Sequence, residues 1–185
     1  MTKVAVVFHS GYGHTVKQAE AVAKGANGTL VAIDAEGNIS DAQWDILHSA
    51  DAIVFGSPTY MGSVSWQFKK FADASSKPWY TQQWKDKIFG GFTNSATMNG
   101  DKHSTLHYLF TLAMQHSGIW VGTGLMPSNA KSAKRDDVNY VGSSAGAMMQ
   151  TPSDAGADEV NVGDLETARL YGERIAKIAT QFKSS

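Results

Sequence analysis

Three short segments carry the residues best suited to do chemistry. Ser10-Gly11-Tyr12-Gly13-His14-Thr15 follows an apolar run and leads straight into a helical pattern. Small residues there let backbone N–H groups converge at a helix N-terminus, whose partial positive charge suits a phosphate. The Ser10 and Thr15 hydroxyls can complete such a shell without any lysine or arginine. It is not a P-loop, because the Gly-Lys-Ser/Thr ending is missing. Nor is it a dinucleotide fingerprint, because Gly11-x-Gly13 lacks the third glycine and a suitably spaced acidic residue. A plain tight turn with a helix cap would use the same residues.

The second segment is Ser57-Pro58-Thr59-Tyr60-Met61-Gly62-Ser63, in which proline and glycine bracket an aromatic and a hydroxyl. Its amides can meet the heteroatoms of a planar ring while Tyr60 stacks on the face; an ordinary proline-started turn is the alternative. The third is Thr93-Asn94-Ser95-Ala96-Thr97-Met98-Asn99-Gly100, rich in hydroxyls and amides. It suits a ring-binding loop, or a solvated polar loop. No side chain presents itself as a covalent nucleophile. His116, near a helix–strand junction, is the one candidate for proton chemistry, with a helix cap or a packed residue as the alternative.

Two other patterns carry less. His103 and His107 are four apart on one helical face, but no glutamate follows the first and no third ligand is evident, so no metal is expected. Gly142-Ser143-Ser144-Ala145-Gly146 fits the Gly-x-Ser-x-Gly pattern of a hydrolase elbow, which needs a firm strand before it and a helix after it. Here the lead-in is short and Pro152 curtails any helix, so a small-residue loop is expected.

The elements that must position these segments alternate. Val4–Phe8 reads as a strand buried on both faces, followed by a helix over 14–26 and a second strand over 29–34. Ser40 caps a helix to Ser49 with Trp44 and Leu47 on its buried stripe. The third strand, 51–56, is expected to stop at Ser57-Pro58. A helix over 64–74, a strand over 87–93, a helix over 104–116 and a fifth strand over 118–122 come next. Residues 125–158 show no period and read as a long, partly ordered loop; a helix over 164–182 closes the chain. Alternating strands and helices call for a parallel sheet with right-handed crossovers. The expectation is one domain over residues 1–185: a three-layer α/β sandwich, helices on both faces of a five-stranded parallel sheet in the flavodoxin-like order 2-1-3-4-5. Ligands of such sheets bind beyond the carboxyl ends of the strands at the switch point, where all three segments fall.

Composition narrows the class. Sixteen basic and seventeen acidic residues leave a net charge of -1, without the basic patch of a nucleic-acid binder or the one-sided field of a steered electron carrier. No apolar run approaches the roughly 20 residues that span a bilayer. The absence of cysteine excludes disulfides, thiol nucleophiles and thiolate metal sites. With a strand-like run beginning at Val4, these features point to a cytoplasmic small-molecule enzyme.

Taken together the motifs resemble the flavodoxin-like NAD(P)H:quinone oxidoreductases of the Trp-repressor-binding-protein (WrbA) type, over nearly the whole chain. The likeness rests on Ser10-Gly11-Tyr12-Gly13-His14, on Ile53 to Gly62, on Phe92 to Thr97, on a late His116-x-Gly118 and on Ala168 to Gly172. Tyr60 stands where that family commonly has arginine, and Thr97 to Asp101 replace its glycine-rich stretch. The resemblance implies FMN, its phosphate held by Ser10 to Thr15 and its ring by Pro58 to Gly62 and Asn94 to Asn99, with His116 near the ring. It implies that Tyr12, Tyr60 and Trp79 line the pocket where NAD(P)H and then a quinone-like acceptor react, in a homo-oligomer, dimer or tetramer.

Overall fold

Val4–Phe8 forms β1, and all five of its residues are buried. Alternate side chains leave it toward two separate apolar layers, as strand geometry requires. The computed structural model describes residues 1–183 of the chain. After β1 come α1 (His14–Ala26), β2 (Thr29–Ala32), α2 (Asp41–Ser49), β3 (Ala52–Tyr60), β4 (Ser63–Val64), α3 (Trp66–Ala74) and α4 (Ser76–Tyr80). β5 (Ile88–Ser95), α5 (Lys102–Gln115), β6 (Ile119–Trp120), β7 (Ala147–Gln150), a short turn of 3-10 helix at Ala157–Glu159 and α6 (Val162–Lys183) complete it.

The sheet runs β2-β1-β3-β5-β6, which is the expected doubly wound order once the two-residue β4 is set aside. Val4, Val6 and Phe8 meet Ala19 and Val22 of α1 and Ala168 and Tyr171 of α6. Ala5 and Val7 face Leu47 of α2, Phe68 and Phe71 of α3, and Leu106 and Leu109 of α5. Helices therefore cover both faces, as a parallel sheet demands. The Ser40 cap forms as expected and is a full capping box: Gln43 N–H donates to Ser40 Oγ at 3.3 Å, and Ser40 N–H to Gln43 Oε1 at 2.8 Å.

Three expectations are corrected. β3 does not stop at Ser57-Pro58 but continues to Tyr60, pairing Ser57 with Thr93 and Pro58 with Asn94. Proline is tolerated because β1 accompanies β3 only as far as Gly56, which leaves one edge open where the N–H is missing. The fifth strand is split: β6 pairs Ile88–Phe89 of β5, and β7 resumes beside Phe92–Ser95 after an excursion through residues 121–146. Residues 125–158 thus contain a sheet strand rather than only a loop. The third correction is α4, which lies where no element was expected. No helix among the described residues is long and apolar enough to cross a membrane.

Candidate functional site

A cleft of about 330 Å³ opens beyond the carboxyl ends of β1, β3 and β5. Ser10, Tyr12, His14 and Thr15 line it from the first segment, Pro58, Thr59 and Tyr60 from the second, and Asn94, Ser95 and Ala96 from the third. The three segments separated in sequence are therefore brought to one place. Sequence reasoning missed Thr151 and Ser153, which line the cleft from just past β7. Ala147-Met148-Met149-Gln150 alternates buried and half-buried only in the folded structure; its residue types do not alternate, and a strand interrupted by a long excursion has no local period to find.

Each wall is fixed by bonds traceable to the sequence. Ser10 Oγ accepts the Gly13 N–H at 3.1 Å and closes the turn. Gly13, left-handed at φ 91°, starts α1 with no side chain capping the helix, so its first amides keep their hydrogen-bonding capacity. His14 Nε2 pairs with Ala155 O at 2.8 Å, tying α1 to the segment after β7. The Thr59 hydroxyl lies 2.8 Å from those of both Thr93 and Thr105, joining β3, β5 and α5. Thr151 Oγ1 donates to Asn94 Oδ1 at 3.2 Å. At the mouth the Tyr12 and Tyr60 rings meet edge to face with centroids 6.2 Å apart, and partial burial pushes the Tyr60 phenol pKa up.

Not every expected residue faces the cleft. Gly11 and Gly13 offer backbone only. Met61 and Gly62 form the exposed tip of the β3–β4 hairpin, and Thr97, Met98 and Asn99 continue the third segment outward, beyond the lining. His103 and His107 are exposed on α5, and no group of three metal-binding side chains occurs among the described residues. Gly142 to Gly146 is a loop with no strand before it, its Ser143 Oγ donating to Gly146 O at 2.6 Å.

His116 is a correction, and Trp79 does not line this chain's own cleft. His116 caps the C-terminus of α5, a helix that begins beside the cleft and runs fourteen residues away from it. Its ring is 2% exposed, packs 4.4 Å from the Trp84 ring and pairs through Nε2 with Ser75 Oγ at 2.9 Å. It is a core histidine at the opposite end of the sheet. Trp79 lies on α4 at that same end, where the neighbouring Ser75 and Gln82 contact His116 and Ser117. Burial lowers the His116 pKa to about 4, so the folded protein holds it neutral where the unfolded chain would bind a proton. The unfolded state binds more protons between pH 4 and 6.5, so stability rises with pH through that window and is lost on acidification. The loss should approach about 3 kcal/mol. His116→Gln should flatten that pH slope in urea titrations; an unchanged slope refutes the assignment.

The sequence matches the NADPH-dependent FMN reductase family over residues 15–131. It is 57% identical over 181 residues to the flavodoxin FldP of Pseudomonas aeruginosa, covering 98% of each chain. It is 30% identical over 200 residues to an NAD(P)H dehydrogenase (quinone) of Cupriavidus metallidurans, again covering 98% of each. The crystal structure of a flavodoxin, WrbA-like protein from Agrobacterium tumefaciens superposes with a TM-score of 0.80 at 55% identity, covering 98% of this chain and 99% of that one. The chain belongs to the WrbA-type flavodoxin-like family. FMN is the family's cofactor, with NAD(P)H-dependent reductases among its members. The cleft of this WrbA-type protein fits that group. The uncapped α1 N-terminus suits a phosphate dianion. The remaining lining is hydroxyl, amide, aromatic and small apolar, with one imidazole, His14, and no lysine, arginine or carboxylate, which suits a planar ring.

Proposed function

We propose that the protein is an FMN-dependent NAD(P)H oxidoreductase that passes two electrons to quinones or similar small acceptors. The observation that carries this reading is the open mouth of the cleft, walled by Tyr12 and Tyr60 and free of charged side chains. A flat apolar acceptor or a nicotinamide can lie against such a wall.

In this reading Ser10 to Thr15 hold the FMN phosphate through backbone amides, the two hydroxyls and the α1 dipole. Pro58 to Tyr60 and Asn94 to Ala96 hold the ring, with Thr97 to Asn99 as its outer cover. Bound FMN supplies the chemistry, accepting a hydride equivalent and returning electrons to the acceptor. The protein positions the reactants, excludes water and supplies no covalent nucleophile. His116 lies away from this lining, and the imidazole there, His14, is tied to Ala155 O, so protons would come from solvent at the open mouth. Trp79 lies away from its own cleft, so it could wall only that of a second copy. A homo-oligomer, dimer or tetramer, is part of the proposal, as is a cytoplasmic setting.

A second reading, a one-electron carrier, is favoured by the similarity to a protein named as a flavodoxin. Anaerobic mixing of the FMN-loaded protein with NADH or NADPH separates the two. Rapid loss of the flavin's visible absorbance, regained on adding a benzoquinone, is expected. A flavin that stays yellow with both nucleotides turns the conclusion to the carrier.

A further inference from the structure

Lys102 is the first residue of α5 and is fully buried. Both facts run against its chemistry. A cation at a helix N-terminus faces the positive end of the dipole, and a buried ammonium needs all its protons satisfied. Its side chain leans back over the preceding loop, as helical side chains do. There Nζ donates to Ser95 Oγ at 2.7 Å, Thr97 O at 2.9 Å and Met98 O at 2.7 Å. Three protons meet three acceptors, and the third cleft segment is wrapped around the charge.

The wrapping has a cost in backbone conformation. Gly100 and Asp101 are consecutive left-handed residues, at φ 55° and 53°. A Cβ on Gly100 would stand 2.0 Å from Ser95 Oγ. A sequence that breaks helix, burial and backbone preferences at one point does so for something built there. The peptide bonds of this loop are trans, so the carbonyls of Thr97 and Met98 that turn in to the ammonium turn the N–H groups of Met98 and Asn99 away from it. From the other side, Gln150 Nε2 donates to Ala96 O at 2.7 Å. The loop is clamped from beneath by a charge and from the flank by β7.

We propose that Lys102 is the positioning residue of the ring-binding loop, and that its buried positive charge, one shell behind Ser95, favours the electron-rich form of bound FMN. The inference rests on FMN occupying the cleft and not on the identity of the electron acceptor, so it stands whether the protein proves a quinone reductase or a carrier. Burial also lowers the Lys102 pKa to about 8, with the Asp164 carboxylate opposing the shift and the Arg135 guanidinium adding to it. The ammonium form therefore dominates at neutral pH.

The test compares affinities for FMN in its oxidised and fully reduced forms, by flavin fluorescence titration and by the two-electron midpoint potential. Lys102→Met should weaken binding of oxidised FMN and weaken binding of the reduced form about tenfold more, because a charge within roughly 10 Å acts through a protein-like dielectric. A tenfold difference is about 30 mV of lowered potential for two electrons. Gly100→Ala disturbs the same loop while keeping the charge, so it should weaken both forms equally and leave the potential in place. If Lys102→Met does not fold, Lys102→Gln, which keeps two donors, serves for the same comparison. A potential equal to wild type in the neutral variant overturns the proposal, as does a Gly100→Ala variant whose potential falls as far as that of Lys102→Met.

Discussion

Asp164→Ala is expected to destabilise the protein by about 3 kcal/mol, at the low end of what breaking a buried ion pair costs. Asp164 is 1% exposed. It accepts from Arg135 Nη1 at 2.8 Å and Nη2 at 2.5 Å, and from the Gln150 N–H at 2.9 Å. Removing it leaves a guanidinium and a backbone donor without their shared acceptor, and removes a carboxylate from the favourable end of α6. Arg135 keeps some access to solvent, its side chain being 28% exposed, which holds the cost at the lower end. In a chain of this length the melting temperature should fall by roughly 6–12 °C. The same variant should bind FMN more weakly, because Gln150 braces Ala96 and leads into Thr151 at the cleft wall. Thermal unfolding and flavin titration read both effects; a melting temperature within roughly 2 °C of wild type would contradict the argument.

That ion pair also marks where sequence reasoning stopped. The βα alternation, the α1 boundaries and the three cleft segments could be read directly, because each depends on local signals: apolar runs, small residues and caps. The split fifth strand could not. β6 is two residues long, and its continuation in β7 is fixed by pairing with Phe92 to Ser95 of β5, a contact between distant segments. For the same reason Thr151, Ser153 and the Arg135–Asp164 brace were invisible. Pro58 misled because a breaker was read without knowing that its strand had lost a neighbour at that point. His116 misled differently: it was placed near the ring by family resemblance, and the helix it caps ends at the far side of the sheet. Lys102 left only an indirect signal, a lysine at a helix start where a carboxylate is the ordinary choice.

The second large effect concerns the seam between α1 and α6, and its expected result is that Gly172→Val costs about 3 kcal/mol or more. A Cβ on Gly172 would stand 2.1 Å from Val22 O, and a Cβ on Gly25 would stand 1.8 Å from Arg169 O. Each helix thus presents a glycine to the backbone of the other. Glycine in a helix interior costs roughly 1 kcal/mol against alanine, so two of them on one seam are retained for the close approach. The obstructing atoms are main-chain carbonyls, which cannot swing aside as a side-chain tip can, so the penalty lies at or above the usual overpacking range of about 1–3 kcal/mol. Relief would come from moving the helices apart, and α1 carries at its N-terminus the turn proposed to hold the FMN phosphate. FMN affinity should therefore fall together with stability. The mechanism makes a sharper demand on the pair Gly25→Ala and Gly172→Ala. If both act by forcing the same separation, the second substitution should cost little once the first is in place, and the double variant should be only slightly less stable than the worse single one. Urea unfolding of the two single variants and the double variant measures this directly. Costs that simply add would mean that each glycine serves a separate local need, and that the two backbones do not bear on one another.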